Sequence, residues 1–345
     1  MTDRQATEIG SGTASDEAGE PPVTESATAP GSDPRRLWAV GVWVALFVIA
    51  VTAFGLPTDP VYAFVWLWAL AVAWRFGQPW RTHFRFARDW VPVVTLLTLY
   101  NFSRGFADNI RTPHIHEMIN ADKWMFGWLT GGKIPTVWLQ QHLYDPGKVH
   151  WWEALVTLTY FSHFVASLAA GITLWLVSRE RWAQYMRRWF VLGLAGLVTY
   201  FLYPAAPPWW ASLHGDLADP VARLSLRGGQ ELGLHGAFSI VRMGQSASNL
   251  VAAMPSLHSA YALMVVLFFA RLVRKRYWPL LALYPLAMTF ALVYSGEHYV
   301  IDVLVGWAYV VGSFLLVWLG ERWWTKRKAA REVADPAPAP AKSAA

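Results

Sequence analysis

The chain has 345 residues, of which 55% are hydrophobic and 22 are tryptophan, and several apolar runs approach the roughly 20 residues that a membrane-spanning helix needs. The net charge of +6 comes from basic residues in short links between apolar runs, as membrane orientation demands, so nucleic acid is not expected as a partner. With no cysteine, the chain can form no disulfide and no thiol nucleophile, and catalysis would fall to histidine and carboxylate.

Three regions are predicted along the chain. Residues 1–33 are rich in Ser, Thr, Gly, Pro and Ala and carry seven acids against one Arg, which predicts a disordered cytoplasmic tail. The length and polarity of this tail argue against a cleaved signal peptide. A transmembrane catalytic domain is expected over 34–324, followed at 325–345 by a disordered cytoplasmic tail that is basic and rich in Ala and Pro.

The apolar runs predict an all-α, polytopic membrane bundle of about eight transmembrane helices. The expected spans are 37–54, 61–76, 91–102, 151–177, 189–203, 255–270, 279–294 and 298–319. Residues 112–147 mix Trp, Gly, Pro and charge, which is typical of a region that lies on the membrane. The Pro- and Gly-rich residues 204–250 predict a long loop.

The distribution of basic residues predicts the orientation. The links at 75–88, 179–188 and 271–276 hold four Lys or Arg each, whereas those at 55–60 and 295–297 hold none. Because cytoplasmic links retain the excess of basic residues, both termini are expected in the cytoplasm of a cell carrying this protein in its plasma membrane. The ends of the last three spans that lie far from these basic links are then extracytoplasmic.

The first candidate site segment is MPSLHSAYA at 254–262, where a histidine stands at the beginning of an apolar run. Pro255 suits a first helical position, so the free N–H groups of that helix should surround Ser256 and His258. A helix start of this kind attracts anions.

The second candidate segment is SGEHYVIDVLVG at 295–306. His298 and Asp302 are four residues apart, so a helix would place them on one face, where the carboxylate can orient and charge the imidazole. Ionisable residues in membrane helices mark functional sites by default, although a structural polar pair is the alternative. Two histidines, a carboxylate and a helix start predict a phosphoryl-transfer site.

These segments resemble the second and third signatures of the type 2 phosphatidic acid phosphatase superfamily, commonly written PSGH and SRxxxxxHxxxD. YPAAPPWW at 203–210, ADKWMFG, GGKIPTVWLQ and HYxxD resemble the branch that contains inositol phosphorylceramide synthases, and sphingomyelin synthases share HYxxD. The resemblance implies an all-helical membrane bundle with His298 as nucleophile, Asp302 as the group that orients and charges it, and His258 as proton donor to the leaving oxygen. It implies a phosphohistidine intermediate, with no metal and no cofactor.

Two departures from these signatures concern phosphate binding. Ala291 and Leu292 stand where the third signature has Ser and Arg, and no KxxxxxxRP precedes the second signature. The phosphate-binding candidates are therefore Ser256, Arg104, Lys123 and Arg242, with Arg104 as first choice among the cations. For Lys123 and Arg242, a headgroup-facing or solvated charge is the alternative. The loss of the Arg suits a singly charged phosphodiester better than a dianionic monoester.

The sequence thus predicts a membrane lipid phosphotransferase that acts at the extracytoplasmic face on a phospholipid substrate and a lipid acceptor. Inositol phosphate from phosphatidylinositol, moved to a lipid hydroxyl, is the most specific expectation. One alternative is a lipid phosphate phosphatase that uses the same residues with water as acceptor. The other is a noncatalytic lipid-binding or transport protein in which the polar triad is structural.

Overall fold

The computed structural model describes residues 34–54, 59–110, 112–229 and 250–334, and these residues fold into α-helices joined by short links. In chain order the helices are α1 (Pro34–Phe54), α2 (Pro60–Trp74), α3 (Trp80–Ile110), α4 (His116–Thr130), α5 (Pro135–Leu143), α6 (Trp151–Val177), α7 (Arg179–Leu202), α8 (Pro208–Leu213), α9 (Leu257–Ala270), α10 (Trp278–Tyr294) and α11 (Val300–Ala334). Short 3₁₀ turns at Arg227–Gly229 and Lys275–Tyr277 complete the described secondary structure.

A helix is present at each of the eight predicted spans, which confirms the all-α membrane bundle. Within the described part of the chain, three segments are long and apolar enough to cross a membrane: Pro34–Phe54, Lys275–Tyr294 and Val300–Arg331. Helix α6 is a fourth if its two parts, which bend by 47°, form one span. The protein is therefore an integral membrane protein, and the count of eight spans stays a prediction.

Two predicted boundaries are wrong. The basic link at 75–88 is largely helical, because α3 already begins at Trp80. Helix α11 continues to Ala334 and so includes the first part of the tail predicted to be disordered at 325–345. Ala, Lys and Arg are strong helix formers, and basic side chains are favoured near a helix C-terminus, which explains the extension. Residues 1–33 and 335–345 lie outside the described residues.

The core surrounds α9, which packs against α6, α7, α10 and α11. Its buried side chains include Trp189, Leu192, Ala260, Tyr261, Met264 and Val310. Helices α1 and α2 form a hairpin, and α2 packs in turn against α3. Ala39 is the one side chain of α1 that is buried in the described structure, so the hairpin lies at the edge of the bundle.

An outer layer of short helices and extended segments covers the end of the bundle where α9 begins. Ala205 donates its N–H to the Val251 carbonyl at 2.7 Å, and Ala253 donates to the Ala205 carbonyl at 3.0 Å. These bonds join the chain that follows α7 to the chain that leads into α9. Helix α4 lies in the same layer with Trp124 84% exposed and Trp128 81% exposed, as expected for a helix at a membrane interface.

The start of α9 packs directly against α11 at Gly306. A Cβ atom at this position would lie 2.5 Å from the Ser256 carbonyl oxygen and 3.2 Å from the Ser259 hydroxyl. The Ser256 N–H donates to the Asp302 carbonyl at 3.0 Å, so the two backbones also meet through a hydrogen bond. Glycine at 306 therefore sets the approach of the segments that carry His258 and Asp302.

We predict that Gly306→Ala destabilises the protein by about 1–3 kcal/mol, because the added methyl group overlaps backbone that cannot move freely. The matched control is Gly312→Ala on the same helix, where an added Cβ meets no atom within 4 Å. This control should leave stability unchanged or raise it by up to about 1 kcal/mol. Thermal unfolding in detergent measures both variants, and equal stability of the two would contradict the close approach.

Candidate active site

The structure brings His258, His298 and Asp302 together at the start of α9 and α11. Nε2 of His298 lies 3.3 Å from Nδ1 of His258, and Nδ1 of His298 lies 3.5 Å from an Asp302 carboxylate oxygen. The His298 side chain is 5% exposed and that of Asp302 is 0% exposed. The three residues predicted to be catalytic thus form one contiguous row, in which His298 and Asp302 are buried and His258 is half-buried.

The prediction that His298 and Asp302 share one helical face is wrong, because α11 begins only at Val300. His298 lies in the turn before the helix, where Gly296 adopts a φ of 77° that L side chains rarely adopt. The Asp302 carboxylate reaches back and accepts the Tyr299 N–H at 2.9 Å. The carboxylate therefore caps its own helix and meets the imidazole from within the first turn.

The contact with Asp302 determines how His298 presents its ring. A carboxylate facing Nδ1 favours the tautomer that carries its hydrogen on Nδ1, which leaves a lone pair on Nε2. The Nδ1–H of a neutral His258 then donates to that Nε2 across 3.3 Å. Such a row could supply a nucleophilic nitrogen on His298 and a proton carrier on His258.

Asp122 of α4 completes the cap of α11, and the sequence reasoning did not identify it. Its carboxylate accepts the N–H groups of Val300 at 3.0 Å and Ile301 at 2.9 Å, and the residue is fully buried. Burial first, and then the nearby charge of Asp302, raises the pKa of Asp122 to about 7. The backbone bonds to Val300 and Ile301 lower this pKa only in part. In the sequence, Asp122 stands out only as part of the segment ADKWMFG.

Ser256 acts as the N-cap of α9, so Pro255 precedes the cap and is not the first helical residue that the sequence predicted. The Ser256 hydroxyl accepts the Ser259 N–H at 3.4 Å, and the residue is fully buried. This geometry gives Ser256 a structural role at the start of the helix that carries His258. Its role in phosphate binding stays a prediction.

Two further rings line His258 and were not identified from the sequence. The His163 ring centroid lies 4.2 Å from that of His258, and the Tyr160 ring lies 5.2 Å away. Both residues belong to α6, and His163 stands twelve residues after Trp151, the first residue of this helix. At 1.5 Å per residue, the site is about 18 Å along α6 from its outer end. A lone histidine within an apolar run carries no spacing signal that could have indicated this contact.

The predicted phosphate-binding cations are placed as follows. Lys123 is exposed on α4. The backbone of Arg104 belongs to α3, but its side chain is not described. Arg242 lies outside the described residues. The guanidinium of Arg223 borders the site, because it pairs at 2.7 Å with Glu297, the residue before His298. The loop predicted at 204–250 contains several arginines, and their spacing does not distinguish Arg223.

Comparisons with known proteins give one family match and several relatives. The PAP2 superfamily matches residues 135–316. The phosphoinositol dihydroceramide synthase of Bacteroides thetaiotaomicron is 29% identical over 59% of this chain and 65% of its own length. The inositol phosphorylceramide synthase catalytic subunit AUR1 of Saccharomyces cerevisiae is 26% identical over 78% of this chain and 65% of its own length. The chain thus spans about two thirds of the length of these two relatives. No solved structure matches.

We predict that replacing Asp122 with Asn changes how stability depends on pH. In the wild type, the folded state binds more protons than the unfolded chain between about pH 4 and pH 7, so stability falls as pH rises through this window. Asp122→Asn removes this titration. Between pH 5 and pH 8, the wild type should therefore lose about 2 kcal/mol of stability that the variant keeps. Unfolding in detergent at both pH values measures it, and a constant difference would contradict the buried carboxyl.

Proposed function

Because the chain belongs to the PAP2 superfamily, we propose that it is a membrane lipid phosphotransferase that moves inositol phosphate from phosphatidylinositol to a lipid hydroxyl. The observation that carries the proposal is the row in which Nε2 of His298 faces His258 while Nδ1 faces Asp302. The names of the relatives, a phosphoinositol dihydroceramide synthase and inositol phosphorylceramide synthases, support the choice of transferred group.

In the first half-reaction, the Nε2 lone pair of His298 attacks the phosphorus, and the bond between phosphorus and the diacylglycerol oxygen breaks. The anionic substrate, entering between the two rings, favours the imidazolium form of His258, which gives its proton to the leaving oxygen. Positive charge develops on the His298 ring as the phosphorus–nitrogen bond forms, and the Asp302 carboxylate stabilises it. The products are diacylglycerol and inositol phosphate bound to His298.

The second half-reaction runs the same chemistry with another alcohol. Neutral His258 takes the proton of the acceptor hydroxyl, whose oxygen attacks phosphorus while the bond to His298 breaks. The enzyme returns to its starting state, and the acceptor carries the inositol phosphate. If water took the place of the lipid acceptor, the same residues would catalyse hydrolysis.

The proposal is tested by incubating the purified protein with phosphatidylinositol radiolabelled in its headgroup, with and without a ceramide acceptor. We expect label to appear in a new lipid only when an acceptor is present. His298→Ala should reduce this transfer below a tenth of the wild-type rate while the protein remains folded, because it removes the imidazole that lies between His258 and Asp302. Release of water-soluble inositol phosphate without an acceptor would assign hydrolysis instead, and substantial turnover by His298→Ala would exclude the covalent route.

We also propose that the site faces the outside of the plasma membrane and that both termini are cytoplasmic. The basic links at 179–188 and 271–276 support this orientation, because they lie at the ends of α7, α9 and α10 opposite the histidines. The outer layer with α4, α5 and α8 is then extracytoplasmic.

Single cysteines in this cysteine-free chain test the orientation. Leu213→Cys lies on the outer layer, where Leu213 is 74% exposed, and should react with an impermeant thiol reagent added to intact cells. Arg181→Cys lies on the opposite side, is also exposed, and should react only after the membrane is permeabilised. The reverse pattern would place the chemistry in the cytoplasm.

A further inference from the structure

A short segment at 221–229, which we call the arginine loop, is fixed over the catalytic residues by two polar anchors. The first is the side chain of Gln140 on α5. Its amide oxygen accepts the Ala222 N–H at 2.9 Å, and its amide nitrogen donates to the Ala222 carbonyl at 2.8 Å. The same nitrogen donates to the Tyr294 carbonyl at 2.8 Å, so the loop is tied to the end of α10, directly before the His298 turn.

The second anchor is a buried carboxylate at the beginning of α6. Glu153 is 2% exposed, pairs with Nε of Arg227 at 3.3 Å and accepts the Tyr294 hydroxyl at 2.6 Å. Gly228 packs on the Glu153 backbone so closely that an added Cβ would overlap the Glu153 carbonyl. The arginine loop is therefore held against α6 and α10 at both of its ends, and its central side chains have little freedom.

Within this fixed loop, Arg223 and Glu297 form a bidentate ion pair. Arg223 Nε lies 2.7 Å and its Nη2 lies 3.1 Å from the two carboxylate oxygens, and the Ser225 hydroxyl donates to the same carboxylate at 2.6 Å. The guanidinium also lies 4.6 Å from the ring centre of Trp209. A guanidinium has five N–H donors, and the pair with Glu297 uses two of them. Arg223, at 28% exposure, can therefore bind a second anion without releasing Glu297.

The ion pair borders the catalytic row. Glu297 is the residue directly before His298 in the chain, and its side chain is 8% exposed. The positive charge of Arg223 acts on His258, so its guanidinium lies within electrostatic range of the catalytic row. A phosphate that reached Nε2 of His298 would therefore lie within electrostatic range of the guanidinium.

The position at which the family signature has an arginine is apolar in this chain. Leu292, which stands where the resemblance places an Arg, is fully buried and packs in a hydrophobic cluster with Tyr160, Ala262 and Met288. Beside the histidines, the charge of Arg223 is thus offset by that of Glu297. A phosphodiester bears about one negative charge near pH 7 and a phosphomonoester about two, so a nearly neutral pair favours the diester.

From this arrangement we propose that Arg223 binds the substrate phosphate and that Glu297 makes the site selective for singly charged phosphodiester lipids over dianionic phosphomonoester lipids. The inference deepens the proposed lipid phosphotransferase activity and rests on it for the identity of the lipids. The geometry itself concerns binding, so it can be tested without turnover.

The experiment measures the affinities of dioctanoyl phosphatidylinositol and dioctanoyl phosphatidic acid for the purified full-length protein. All variants carry His298→Ala, so that neither lipid is consumed. Glu297→Gln keeps the hydrogen-bonding shape of the side chain but removes its charge. It should raise the affinity for phosphatidic acid relative to phosphatidylinositol by roughly tenfold, since one repelling charge near the second phosphate charge is lost. Arg223→Gln should weaken the binding of both lipids by at least about tenfold.

Glu117→Gln is the matched control, because Glu117 belongs to the same outer layer but pairs with His114 and is 57% exposed. It should leave both affinities unchanged. Thermal unfolding establishes that each variant is folded. An unchanged affinity ratio in folded Glu297→Gln would overturn the role in selectivity, and unchanged affinities in folded Arg223→Gln would overturn the role in phosphate binding. Selective binding by a protein whose wild type shows no transfer would instead refute the proposed function alone.

Discussion

The site depends on how the first free N–H groups of α11 are satisfied inside a buried region. Asp302 accepts from Tyr299, and Asp122 accepts from Val300 and Ile301, so two carboxylates share the start of one helix. Each of these N–H groups would cost about 1–3 kcal/mol if it were buried without a partner, so the arrangement holds the turn that carries His298 in place. The positive end of the helix dipole offsets part of the repulsion between the two carboxylates.

This cap links the membrane bundle to the layer that covers it. Asp122 belongs to α4, whose opposite side exposes Trp124 and Trp128 as a membrane-interface helix would. The start of α9 is held to the same end of α11 by the Ser256 bond and the contact at Gly306. His258, His298 and Asp302 are thus positioned by three elements that meet at one point, which is how a catalytic group is kept preorganised.

The residues proposed to be catalytic stand out in the sequence because their signals are local. His258 stands in a nine-residue segment, and His298 and Asp302 are four residues apart, so short motifs sufficed. The remaining site residues meet only through the fold: Asp122 contacts Val300 across 178 residues, and Arg223 contacts Glu297 across 74. Pattern reasoning also placed His298 inside a helix, because periodicity does not reveal that a carboxylate cap makes the helix begin two residues later.

Covalent transfer through His298 is the central step of the proposed mechanism. The most direct measurement is mass spectrometry of peptides from protein mixed with phosphatidylinositol, stopped within a turnover and kept alkaline, since phosphohistidine hydrolyses in acid. His258→Ala should be included, because loss of the proton donor slows the departure of diacylglycerol and should lower the yield of the adduct. We predict an inositol phosphate adduct on the peptide containing His298 and none in His298→Ala. Continuous transfer without any adduct, or an adduct on another residue, would contradict the mechanism.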